Sequence, residues 1–213
     1  MIRIEYVDRN HNGLSPMADA IARDYLTRSP LHSLIYVTSS GTALHPSLQP
    51  RELELRKIQR QAVVEGLKND LFKGPLKKDA EFVLARNRHA DAQLLGHCYR
   101  YLQRWERTFR DTALGESGYY YPDWGPVATE PYNVRNVDLI LALNKESFSQ
   151  AQAIYDLIVG IDRPKIVLHQ EYAEIKGELS DLLGAPLEKH QEARDILHHA
   201  LPRIITHARM EFL

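Results

Sequence analysis

The sequence predicts an α/β fold: a doubly wound, parallel, four-stranded sheet with a helical-hairpin insertion between its second and third strands. Two observations carry this expectation. Short β-prone runs alternate with helix-patterned segments at both ends of the chain, the order that parallel strands and their crossovers require. Val137 to Leu143 is a nearly continuous apolar run, as expected of a strand buried on both faces. With 213 residues, 44% of them hydrophobic, the chain can bury one domain, 1–213, with residues 43–136 inserted within it.

The elements follow in order. Ile2, Ile4 and Tyr6-Val7 mark a first strand, and Arg9 to Gly13 is a polar loop. Ser15-Pro16 offers an N-cap and a first-turn proline for a helix through about Leu26. Leu34 to Thr38 reads as the second strand and ends in the small-residue turn Ser39-Ser40-Gly41-Thr42. Arg51 to Phe72 and Asp79 to Leu114 both carry helical spacing, with Phe82, Leu95, Leu102, Trp105 and Phe109 close to one stripe. Gly74-Pro75 parts the two as the turn of a hairpin. After a Gly-, Tyr- and Pro-rich loop and the third strand, a helix is expected from Lys145 to Val159. A strand from Lys165 to His169 and a last helix from near Pro186 complete the chain.

Composition narrows the function. A net charge of −1 argues against nucleic acid or an acidic membrane as a charge-driven partner. The single cysteine, Cys98, excludes an internal disulfide framework and fits a reducing compartment. No apolar run is long enough to cross a bilayer, and the chain opens on a strand without a signal-like segment, so a cytoplasmic location is expected.

The chemistry sits in the first loop. A strand that ends in a polar loop feeding a helix presents unpaired amides and the positive end of a helix dipole, a natural cradle for an anion. The residues of that loop are Arg9, Asn10, His11, Asn12, Gly13, Leu14 and Ser15, following Asp8. From Val7 to Ala22 the segment resembles the signature of the low-molecular-weight protein tyrosine phosphatases and the related arsenate reductases, in which a cysteine, five loop residues, an arginine and Ser-Pro open the first helix. Ser39 to Thr42, the strand Val137 to Leu143 and Asp181-Leu182-Leu183-Gly184 resemble further family segments, in the family's order. Together they span about the first forty and the last eighty residues. The resemblance implies the family's four-stranded fold and places Asp181 at the general acid.

The departures decide what chemistry to expect. Asp8 stands where the family has its nucleophilic cysteine and Leu14 where it has its arginine, while His11 and Asn10 replace a bracing asparagine and a glycine. A thiolate attacks phosphorus, and a guanidinium fork grips two phosphoryl oxygens; neither is present here. A carboxylate beside a phosphoryl group repels it by roughly 4 kcal/mol at ~4 Å and an effective dielectric of about 20. The chain is therefore expected to be a catalytically inactive or altered relative without a cofactor. Its expected partners are a phosphate-like anion or phosphorylated protein in the old cradle, or a protein partner or second copy on the added helices. The alternative is a phosphohydrolase in which Asp8 is the nucleophile and Asp181 the acid or base, with Mg²⁺ as its metal.

Other motifs weigh less. Arg100, Arg104 and Arg107 share a helix face and could lend a guanidinium to the cradle; a solvated stripe is the commoner meaning of such spacing. Cys98 to Arg104 has the bare cysteine-to-arginine spacing but no glycine, and it lies inside a helical period. The histidines form no metal motif: His198-His199 point to different helix faces, and His89 and His97 are two turns apart. His11 is the one placed to titrate within the loop. Tyr119 to Pro126 holds aromatics that either wall a pocket or pin their own loop to the core.

Overall fold

The computed structural model describes residues 1–86, 91–122, 127–129, 137–157, 163–176 and 179–213. Four strands, β1 (Ile2–Asp8), β2 (Ile35–Gly41), β3 (Leu139–Ala142) and β4 (Lys165–Leu168), form one all-parallel sheet in the order β2-β1-β3-β4. Register is tight at the centre: Ile4 of β1 pairs with Val37 on one side and Leu139 on the other. Alternation in β1 sends Ile2, Ile4 and Tyr6 to a core made with α1 (Leu14–Thr27) and the long final helix α7 (Leu187–Phe212). Val7 turns the other way, with Ile140 and Ala142, onto Ala151 and Ile154 of α5 (Lys145–Asp156). Helices thus flank both faces, and the C-terminal ends of the strands carry the Asp8 loop.

Among the described residues the insertion holds three α-helices where the spacing predicts two: α2 (Glu52–Lys68), α3 (Gly74–Arg86) and α4 (Ala92–Glu116). Pro75, expected to part the helices, sits in the first turn of α3, where its missing N–H costs nothing. The long segment Asp79 to Leu114 is divided between α3 and α4. Phe82 is consequently off the expected stripe: it is exposed, with the Arg86 guanidinium over its ring. α2, α3 and α4 build a hydrophobic cluster of their own around Val63, Phe72, Val83 and Leu102, joined by Leu183. α4 also reaches the main core through Ala113 and Leu114, so this one helix ties both clusters together.

Smaller differences have local causes. β2 runs on through the small turn to Gly41, whose backbone pairs with 127–129 at Ala128. β4 stops at Leu168, and a one-turn helix α6 (His169–Tyr172) follows. The end of the helix predicted to reach Val159, the residue His89 and the stretch 123–126 of the aromatic loop lie outside the described residues. No described helix is long and apolar enough to cross a membrane.

Candidate functional site

The loop after β1 is built around a carboxylate. Asp8 ends the strand and is buried, and both of its oxygens accept backbone hydrogen bonds. Oδ1 takes the His11 amide at 2.6 Å and Oδ2 the Ser15 amide at 2.8 Å. Ser15 therefore does not cap the helix as its sequence position predicts. α1 starts two residues earlier, with Gly13 at the N-cap position and no side-chain cap from it. The first-turn amide of Ser15 is satisfied from across the loop by Asp8, and the Ser15 hydroxyl donates to the Ser40 carbonyl at 3.1 Å. A carboxylate with two amide donors at a helix N-terminus is the arrangement an anion cradle offers its ligand; here the anion belongs to the chain.

The loop is pressed against its surroundings. Ala43 N–H donates to the Arg9 carbonyl at 2.9 Å, and a methyl group on Gly41 would lie 2.9 Å from the His11 nitrogen, so β2 approaches too closely for any larger residue. His11 has a positive φ of 54°. Its Nδ1 accepts from the Val127 amide at 2.9 Å, which leaves the hydrogen on Nε2, 2.9 Å from the Ser39 hydroxyl. Ser39 in turn faces Asp19 Oδ2 at 3.3 Å, and Asp19 is paired with Arg23 at 2.6 Å. Leu14, at the position of the family arginine, is buried in the main core.

Two residues that the sequence did not single out complete the site. Glu106 and Arg110 lie one turn apart on the inner face of α4, both buried. A methyl on Gly13 would sit 2.6 Å from Glu106 Oε1, so the glutamate rests directly on the loop, and its Oε2 is buried without a hydrogen-bond partner. Arg110 donates from Nη1 to the Asn12 carbonyl at 3.1 Å, binds Asp111 through Nε at 2.8 Å, and lies over the Tyr121 ring, 5.1 Å from its centre. The guanidinium that reaches the loop is thus Arg110. Arg100 and Arg104 are exposed, and Arg107 is half-buried. The signal was present, because positions 102, 106, 110 and 113 share a helix face; charges at 106 and 110 interrupt an apolar stripe.

Asp181 is exposed at the edge of the same place, its Oδ1 accepting the Leu183 amide at 3.1 Å. Asp8, Glu106 and Asp181 line one cavity with Arg9, Asn10, Leu14 and Asn144; its volume is about 10 Å³, at the lower limit for a single water. Arg9 pairs with Glu146 at 3.5 Å. Burial raises the Asp8 carboxyl to about 6, against the lowering effect of the Ser15 and His11 amides, and nearby Asp181 adds to the rise. Glu106 is held well above the usual carboxylate range by burial, with Asp181 and Asp8 adding to it and Arg110 opposing. The site is therefore a small cluster in which two buried acids, Asp8 and Glu106, hold their protons more tightly than exposed carboxyls do. Among the described residues no group of three or more His, Cys, Asp and Glu is arranged to hold a metal ion.

The remaining motifs fall elsewhere. Cys98 to Arg104 lies wholly within α4, and burial pushes the Cys98 thiol up. His198 packs edge-on to Tyr119, while His199 Nδ1 bonds the Asp195 carbonyl at 2.6 Å. Of the aromatic loop, Tyr119 and Tyr121 pack against the main core, and the Tyr121 hydroxyl is 3.4 Å from both Ser39 and His11.

No family model and no curated relative matches the sequence. Solved structures do match its shape over almost its whole length. A protein tyrosine phosphatase from Entamoeba histolytica superposes with a TM-score of 0.61 at 14% identity, covering 100% of both chains. A low-molecular-weight phosphotyrosine phosphatase from Vibrio cholerae O395 gives 0.57 at 16% identity, also over 100% of both. An arginine phosphatase from Drosophila gives 0.58 at 13%, over 97% of each. At such identities the likeness speaks for architecture alone, and the parallel sheet order, the β1 loop and the flanking helices agree with it: this chain has the fold of a low-molecular-weight protein tyrosine phosphatase.

Proposed function

We propose that this chain is a phosphatase-fold protein whose phosphate cradle has become structural, and that it acts by binding a protein partner instead of by thiolate catalysis. The observation that carries the reading is the pair of amide hydrogen bonds from His11 and Ser15 to the Asp8 carboxylate, which give the cradle an anion of its own. Glu106 supports it, since its buried side chain rests directly on the loop and the cavity beside Asp8 has a volume of only about 10 Å³. The added helices supply a surface for a partner or a second copy, with Leu53 and Val64 of α2 and Phe82 of α3 exposed. The test is an assay with p-nitrophenyl phosphate. No thiol-dependent turnover is expected, and turnover abolished by alkylation of Cys98 would overturn the proposal.

A second reading rests on one observation, that Asp181 shares the Asp8 cavity. Asp8 would then attack a phosphoryl group and Asp181 would move the proton, with Mg²⁺ as the expected metal. Magnesium-dependent hydrolysis that disappears in Asp8→Asn would replace the first reading with this one.

A further inference from the structure

A second carboxylate is buried away from the Asp8 loop, and it faces a much larger space. Glu5 lies in the middle of β1, the strand flanked by β2 and β3, and is 4% exposed. Its neighbour on the same side of the sheet, Val7, is covered by α5, whereas Glu5 lines a cavity of about 480 Å³ beside β2. That volume suits a small organic ligand. Only one Glu5 oxygen is used: Oε1 accepts from the Ser40 hydroxyl, which also meets the Thr129 hydroxyl at 2.8 Å. Oε2 is buried with no partner.

The surroundings define what such a carboxylate can take. Tyr36, half exposed at the rim, and Tyr121 present aromatic surface, and Val127, Ala128 and Val137 make the wall apolar. The charged groups along the lining are the α-amino group of Met1, which is exposed, Arg3 on β1 and, on α1, Asp19 with Arg23, which neutralise each other as a pair at 2.6 Å. Arg3 is itself engaged in another interaction. On the inner side lies Tyr155 of α5, near enough for Glu5 to raise its hydroxyl further above the ordinary value; its oxygen is buried without a partner and carries no positive charge. Among the described residues no cation pairs with Glu5, and a buried carboxylate is stable in its charged form only with a counter-charge or a full set of donors. We infer that this cavity is a binding site for a small organic cation, an amine or amidine on a flat apolar body, whose head group pairs with the Glu5 carboxylate and whose body lies against Tyr36 and Tyr121.

The inference is independent of the Asp8 site, and it carries a pH signature. Burial raises the Glu5 carboxyl to about 6, with Ser40 opposing, so the group is charged at pH 7.5 and mostly neutral at pH 5. A cation that needs the charged form should bind about tenfold more weakly at pH 5. Benzamidine is the probe, titrated calorimetrically or by NMR into the full chain at pH 7.5 and pH 5, with benzamide as its neutral isostere and benzoate as its anionic counterpart. The expected result is binding of benzamidine at least tenfold tighter than of the other two, weakened about tenfold at pH 5 and lost in Glu5→Gln. Tyr36→Ala, at a half-exposed rim position, should weaken binding several-fold. Equal binding of benzamide, no effect of pH or of Tyr36→Ala, or no benzamidine binding at millimolar concentration would each overturn the site.

Discussion

Replacing Asp8 with alanine should turn a self-filled cradle into one that responds to added anions. The substitution leaves the His11 and Ser15 amides, now 2.6 and 2.8 Å from carboxylate oxygens, without partners in a buried loop. Two orphaned amides cost about 1–3 kcal/mol each. Part of this is returned, because the native carboxylate is itself strained by burial. Its rise from 3.8 to about 6 means that holding it ionised costs the fold about 3 kcal/mol. The net change at neutral pH is therefore small, between about −1 and +3 kcal/mol. The decisive readout is rescue. At pH 6, sulfate at ten times its dissociation constant should restore about 1.4 kcal/mol, RT ln 11. For a chain of 213 residues that is a rise in Tm of about 3–6 °C. Thermal unfolding in sulfate against chloride at matched ionic strength gives the measurement, with the wild type subtracting any general salt effect. A wild type that gains as much from sulfate as Asp8→Ala, or a folded Asp8→Ala that gains nothing, would refute the reasoning.

Three further outcomes follow from the contacts around that loop. Gly13→Ala should cost about 1–3 kcal/mol through the clash with Glu106 Oε1, and close to nothing in a Glu106→Ala background; chemical denaturation of the double-mutant cycle measures the coupling. Acids whose folded pKa is raised bind protons more tightly in the native state, so their contribution to stability is greatest at low pH and falls as pH rises through the folded value. Buried His169 and His190, both lowered to about 4, pull the opposite way below pH 6.5, so the test is a difference: Glu106→Gln should gain on the wild type as pH rises above the ordinary carboxylate range. Arg110→Met should lose about 2 kcal/mol with the bond to the Asn12 carbonyl, and should raise Glu106 further by removing its opposing charge.

How much of this was legible in the sequence depended on how local the causes were. β1, its loop and α1 follow from short-range patterning, and β3 from an unbroken apolar run, so the parallel sheet could be read directly. The replacement of cysteine by Asp8 and of arginine by Leu14 was equally plain. What Asp8 does was not, because its two amide partners are set by the closure of the loop in space. Nor could sequence bring Glu106 and Arg110 to the cradle from about a hundred residues away; that contact belongs to the packing of α4 across both hydrophobic clusters. The insertion was misdivided for a simpler reason. Continuous helical spacing does not register a break between α3 and α4, and Gly74-Pro75, which reads as a turn, opens a helix. Ser15 likewise has the residue type and place of a cap, but its amide is satisfied by Asp8 from across the loop.

The two amide protons of the loop offer the most direct test. Followed by proton–nitrogen NMR from pH 4 to pH 8, the His11 and Ser15 amides should shift together with one midpoint near 6, the value of the Asp8 carboxyl, and should not titrate in Asp8→Asn. Amides that ignore this titration in the wild type, or that move instead when phosphate is added, would contradict the account.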